Sequence, residues 1–101
     1  MRVFISQPMR DRTKEEILKE REEIITKIKE QYSYFTILDT YFENFYETKN
    51  IPLKYLAKSI DFLSEADLIV LGKGWETVRG CKIEHTCAVE YGIQVMYINK
   101  K

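Results

Sequence analysis

A chain of 101 residues is the size of one domain, with room for a single modest core. Basic and acidic residues number 16 each, so the formal net charge is zero and no polycationic surface is on offer for nucleic acid. No apolar run approaches a membrane span, and the start Met1-Arg2-Val3-Phe4-Ile5-Ser6 lacks the apolar core of a secretory signal, so a cytoplasmic protein is expected.

Residues 2–6 read as a short buried strand. Residues 7–12 make a polar loop in which Pro8 blocks further pairing. Thr13 with Glu16 is a capping-box pattern, so a helix starts at Lys14. Its apolar positions are Ile17, Leu18, Ile24, Ile25 and Ile28, and it ends near Gln31. Residues 34–38, aromatic and β-branched, give the second strand. A long connection over residues 39–50 carries Tyr41, Phe42, Phe45 and Tyr46. Pro52 suits a first helical position, and Leu53, Leu56, Ala57, Ile60 and Leu63 supply the apolar stripe of the next helix. Residues 67–71 form an almost continuous apolar run, the pattern of a strand covered on both faces. A glycine-flanked loop over residues 72–80 leads into a helix over residues 81–91, closed by Gly92, and residues 94–98 make the last strand.

Strands alternating with helices predict an α/β domain over residues 1–101. It is a three-layer Rossmann-like (flavodoxin-like) fold, with a parallel four-stranded sheet in the order 2-1-3-4. In such sheets ligands sit beyond the carboxyl ends of the strands, where the winding reverses. That point falls between strands one and three, so loops 7–12 and 72–80 and the start of the third helix meet in one crevice.

On a wheel of the third helix, Cys81, Ile83, Cys87, Ala88 and Tyr91 span an apolar arc, and Glu84 falls inside it. A buried carboxylate is costly unless it is paired or has a job. Glu84 is therefore either a site residue or a structural group, bridging to Arg79 or Lys82 or meeting another subunit. The two cysteines, six residues apart on one helix, are not placed to bridge each other. With a single histidine and no CxxC, no metal site is implied, and no cofactor is expected.

Three stretches together carry a resemblance: Phe4-Ile5-Ser6-Gln7-Pro8-Met9; Asp61 with Ala66-Asp67; and Gly74-Trp75-Glu76 running on through Arg79-Gly80-Cys81-Lys82-Ile83-Glu84-His85 to Tyr91-Gly92-Ile93. The chain resembles, over essentially its whole length, a family of small phage and prophage proteins labelled as a domain of unknown function (DUF4406). More distantly it is similar to the nucleoside 2-deoxyribosyltransferases and deoxynucleoside monophosphate N-glycosidases. That resemblance implies a Glu nucleophile matching Glu84, an acidic partner on the preceding helix matching Asp61, and a substrate loop matching Ser6, Gln7, Pro8 and Met9. It also implies assembly into homo-oligomers. The chain departs from those enzymes where it has Trp75-Glu76 and Arg79-Gly80 in place of an Asp and a Gly-Thr or Gly-Ser pair, and where His85 follows Glu84.

For N-glycosidic chemistry a carboxylate captures an oxocarbenium-like sugar while the base leaves with a proton. Glu84, near a helix start, is expected to stay ionised. Asp61 orients the sugar or handles the proton, or is simply solvated. Arg79 and the amides around Gly80 suit a 5′-phosphate, or Arg79 is a plain surface charge. Beside Gly74, Trp75 suits base stacking or a place in the core. His85 is a proton donor or a satisfied half-buried ring. Ser6 and Gln7 suit sugar hydroxyls or the local backbone. Tyr41, Phe42, Phe45 and Tyr46 suit a lid or a dimer face. Three functions remain open: nucleoside or nucleotide N-glycosidase or deoxyribosyltransferase, a silent nucleotide-binding module, and a small protein-interaction module.

Overall fold

The computed structural model describes residues 1–38 and 49–98. They run β1 (Arg2–Ser6), α1 (Lys14–Gln31), β2 (Thr36–Ile37), α2 (Ile51–Leu63), β3 (Leu68–Leu71), a 3-10 turn (Trp75–Thr77), α3 (Arg79–Glu90) and β4 (Gln94–Tyr97). The strands form one parallel sheet in the order β2-β1-β3-β4, as the alternation predicts. Tyr41, Phe42, Phe45 and Tyr46 lie outside the described residues.

Strand side chains alternate between faces, and that alternation builds the layers. Val3, Ile5, Leu68 and Val70 join Ile24 and Ile28 of α1 in one core. Phe4, Ile69 and Leu71 join Leu63 of α2 and Ala88 of α3 in a second core. So α1 covers one face of the sheet, and α2 and α3 cover the other. β1 and β3, in the middle, run side by side from Val3 beside Leu68 to Ser6 beside Leu71.

The N-terminus of α1 is fixed by the anticipated capping box: Glu16 N donates to Thr13 Oγ1 at 3.1 Å, and Thr13 N donates to Glu16 Oε1 at 2.9 Å. The backbone hydrogen bond from Thr13 draws the Glu16 carboxyl below its ordinary pKa. At the other end of the fold, Gly92 takes φ 74°, the left-handed conformation that closes α3.

Three expectations change. The second strand shrinks from residues 34–38 to Thr36–Ile37, because on this sheet edge only Arg2 and Val3 of β1 offer it partners, and Tyr34 is exposed. α3 begins at Arg79, two residues before its expected start, since the 3-10 turn delivers the chain to Val78 already positioned as the cap. The apolar arc of α3 is narrower than the wheel suggested. Cys81, Glu84 and Ala88 are buried, whereas Ile83 opens toward Leu53 and Leu56 of α2, and Tyr91 lies past the last helical residue and is 84% exposed.

Removing the cap with Thr13→Ala should lower the urea midpoint with an unchanged m-value, by about 1 kcal/mol of stability. An unchanged midpoint would show that the box contributes nothing to α1.

Candidate functional site

Ser6 is the last residue of β1, on the side of the sheet that faces α2 and α3. Its Oγ donates a 2.6 Å hydrogen bond to Glu84 Oε1, and both residues are buried. The Ser59 hydroxyl of α2, which lines the same crevice as Glu84, also favours its ionised form. Among the described residues Glu84 forms no ion pair, so neither Arg79 nor Lys82 is its partner. Burial pushes the Glu84 carboxyl up to about 7, with the Ser6 and Ser59 hydroxyls pulling the other way. The expectation of a firmly ionised carboxylate is thereby corrected. With α3 starting at Arg79, Glu84 sits in the second turn, where the helix dipole has faded and desolvation wins. Cys81, nearly one turn earlier, is also buried. Burial lifts its thiol to about 11, aided by Glu84, so it is a poor nucleophile.

A crevice of about 480 Å³ opens above the carboxyl ends of β1 and β3, at the reversal of winding. That is within the usual range for small-molecule sites. Glu84 and Cys81 form part of its floor, with Ser59 and Tyr55 of α2 on one wall and Gln7, Met9 and Arg10 on another. Gln7 faces α1, the opposite direction from Ser6, as strand alternation requires. The crevice therefore straddles the end of β1.

Of the residues singled out in the sequence, Glu84, Gln7, Met9 and Gly80 line this crevice, and Ser6 holds Glu84 from behind. Pro8 is buried beside it and approaches Gly74, whose φ of 84° suits glycine and turns the chain into the 3-10 segment. Arg79 lines an adjoining groove with Leu53 and Leu56, sharing Gly80 with the crevice. Trp75 and His85 pack with ring centroids 4.4 Å apart and ring planes tilted by 43°, and His85 Nε2 shares a 2.8 Å hydrogen bond with the Tyr97 hydroxyl. This aromatic group lies outside the crevice lining. Asp61 is exposed and does not line the crevice. The face of α2 that does is Pro52, Tyr55 and Ser59, at helical spacing, and Asp61 lies about 200° round the helix from Ser59.

Sequence reasoning missed Ser59, Tyr55 and Arg10. For Ser59 a signal existed: it is a hydroxyl at i+7 from Pro52, on a helix already placed beside the Glu84 helix. Arg10 sits in an irregular loop, with Asp11 in the left-handed region at φ 60°, and nothing periodic marks its direction. Among the described residues no three His, Cys, Asp or Glu side chains gather as metal ligands, and no helix is long and apolar enough to cross a membrane.

A family model described as "Domain of unknown function (DUF4406)" matches residues 1–97. No curated protein and no solved structure matches the chain.

A carboxyl raised in the folded state favours folding below its unfolded pKa, and that contribution is lost as pH climbs through the folded value. The stability of the wild-type chain should therefore fall between pH 4.5 and about 7, by about 3 kcal/mol from this group. Glu84→Gln, compared by denaturant unfolding at each pH, should remove that fall and match or exceed wild type at pH 8. Parallel wild-type and variant profiles would contradict the assignment.

Proposed function

The chain belongs to the DUF4406 family, and for it we propose cleavage of the N-glycosidic bond of a nucleoside or nucleotide, or transfer of its deoxyribosyl group, with Glu84 as nucleophile. The observation that carries this reading is a buried carboxylate, hydrogen-bonded by Ser6 with the Ser59 hydroxyl nearby and without a cationic partner among the described residues, that lines a nucleoside-sized crevice. A structural carboxylate would gain more from an ion pair than from burial beside open space.

In the proposed step an ionised Glu84 oxygen forms a bond to C1′ as the C1′–N bond breaks. The electron pair of that bond leaves with the base, which takes up a proton from solvent water in the open crevice. Water or a second base then attacks C1′ and releases Glu84. Ser6 and Ser59 fix the carboxylate in the attacking orientation. Gly80, at the start of α3, offers the place for a 5′-phosphate, with Arg79 in the adjoining groove. Exposed Leu53, Ile83 and Val89 on α2 and α3 suit a second copy of the chain, in line with a homo-oligomer.

A second reading is a nucleotide-binding module without turnover. It is favoured by a carboxyl that is part-protonated near neutral pH, which both donates to and accepts from a ligand.

Free base should be released from at least one member of a panel of ribo- and deoxynucleosides and their 5′-monophosphates. Glu84→Gln should cut that release by about a thousandfold or more. kcat/KM should rise with pH and level off above about 7, because the ionised form attacks. A panel member that raises the melting temperature while no base appears would favour the binding module, and release unaffected by Glu84→Gln would rule out Glu84 as nucleophile.

A further inference from the structure

Glu84 is 8% exposed and lines the crevice, and among the described residues no cation pairs with it. Its neighbours are the Ser6 hydroxyl of β1, the Ser59 hydroxyl of α2 and the Cys81 thiol of its own helix. Two guanidiniums also line the crevice, those of Arg10 and Arg12. Arg12 Nη1 is engaged by Glu20 Oε1 at 2.9 Å and the Pro8 carbonyl at 2.8 Å, and Arg10 is exposed on the loop after β1. A buried anion is costly until an opposite charge meets it, and here that charge is left for a ligand to bring.

The same lining bears on the leaving group. Glycosidic sites with two carboxyls use one to attack and the other to protonate the group that leaves. Among the described lining residues Glu84 is the one carboxyl, and none is a histidine or a lysine. Glu84 attacks only when ionised, so it has no proton to give in that step. Cys81 holds its proton tightly, with burial lifting the thiol to about 11.

We propose, resting on the N-glycosidic reading, that the preferred substrates are N-glycosides whose leaving base is a cation, a pyridinium or a 7-alkylpurinium. The positive ring supplies the charge that buried Glu84 lacks. As a Glu84 oxygen bonds to C1′, the electron pair of the C1′–N bond returns to the ring and cancels its charge. The base departs neutral and takes no proton, so a single carboxyl suffices. Water then attacks C1′, the bond from C1′ to Glu84 breaks, and the surplus proton of that water passes to solvent. A neutral base, by contrast, has to draw its proton from water as it leaves.

Base release from nicotinamide riboside and 7-methylguanosine would be compared with release from uridine and guanosine. Each is supplied as nucleoside and 5′-monophosphate, ribo and 2′-deoxy, and the uncatalysed rate is subtracted. The cationic members should show kcat/KM higher by roughly a hundred- to ten-thousandfold, the span that general acid catalysis would otherwise supply to a neutral base. Equal kcat/KM for charged and neutral members, or neutral cleavage as fast that Tyr55→Phe abolishes, overturns the proposal. Charge recognition is read separately by calorimetry at pH 6 with two uncleavable ligands. One is the carbocyclic analogue of nicotinamide riboside, which is cationic, and the other is benzamide riboside, a neutral C-glycoside of similar shape. The cation should bind roughly tenfold more tightly and release a proton, seen as a heat that varies with the buffer, because it draws Glu84 into its ionised form. Glu84→Gln should abolish both differences, and the proton release of the wild-type chain stands without the variant should that fail to fold. No preference for the cation, or one that survives Glu84→Gln, overturns the proposal. Equal cleavage of charged and neutral members removes only the leaving-group class, whereas no release from any of them removes the N-glycosidic reading as well.

Discussion

The hydrogen bond between Ser6 and Glu84 joins the first strand to the last helix across 78 residues of chain, and the site is organised around it. It makes a carboxyl tolerable in a place where water reaches little of it. The Ser6 and Ser59 hydroxyls offset part of the desolvation and among the described residues no cation neutralises the rest, so the group sits near 7, able to change charge around neutral pH. A surface glutamate would stay ionised and well hydrated, and a salt-bridged one would be locked. The Glu84 carboxyl is instead poised, and it borders open space.

The sheet order makes that arrangement possible. β1 and β3 are adjacent, but the chain leaves them in opposite directions, so neither following loop closes over their ends. Alternation at the end of β1 then sends Ser6 to α3 and Gln7 to α1. One strand end thus reaches both sides of the crevice: Ser6 holds Glu84 on one, and Gln7, bonded to Ile17 and Glu20, lines the other. Cores on both faces hold β1 and β3 rigid beneath it, with Val3, Phe4, Ile5 and residues 68–71 almost wholly buried.

What the sequence made legible was whatever has a period or a cap. Alternating strand and helix patterns led to the α/β fold and the strand order, the Thr13–Glu16 pair to the start of α1, and Gly92 to the end of α3. Glu84 stood out because a charge within an apolar stripe breaks the period. β2 was overread because propensity does not reveal how much edge is available to pair with. The charge state of Glu84 was misjudged for a related reason: its distance from the helix start depends on the 3-10 turn before α3, which has no sequence period. The place of Ser59 depends on tertiary contacts between elements distant in sequence, and single-helix patterns carry little of that. Asp61 was matched to a family position, yet the face of α2 that reaches the crevice is defined by Pro52, Tyr55 and Ser59.

The most direct test of a nucleophilic Glu84 is to look for the sugar on it. A 2-fluoro-2-deoxynucleoside forms a glycosyl ester that breaks down slowly, because fluorine at C2 disfavours the oxocarbenium-like transition state. Incubation at pH 8, digestion and peptide mass spectrometry should find the fluorosugar attached to the peptide containing Glu84, and on Glu84 within it. A sugar adduct on another residue, or base release from the parent nucleoside with no adduct from the fluoro compound, would contradict it.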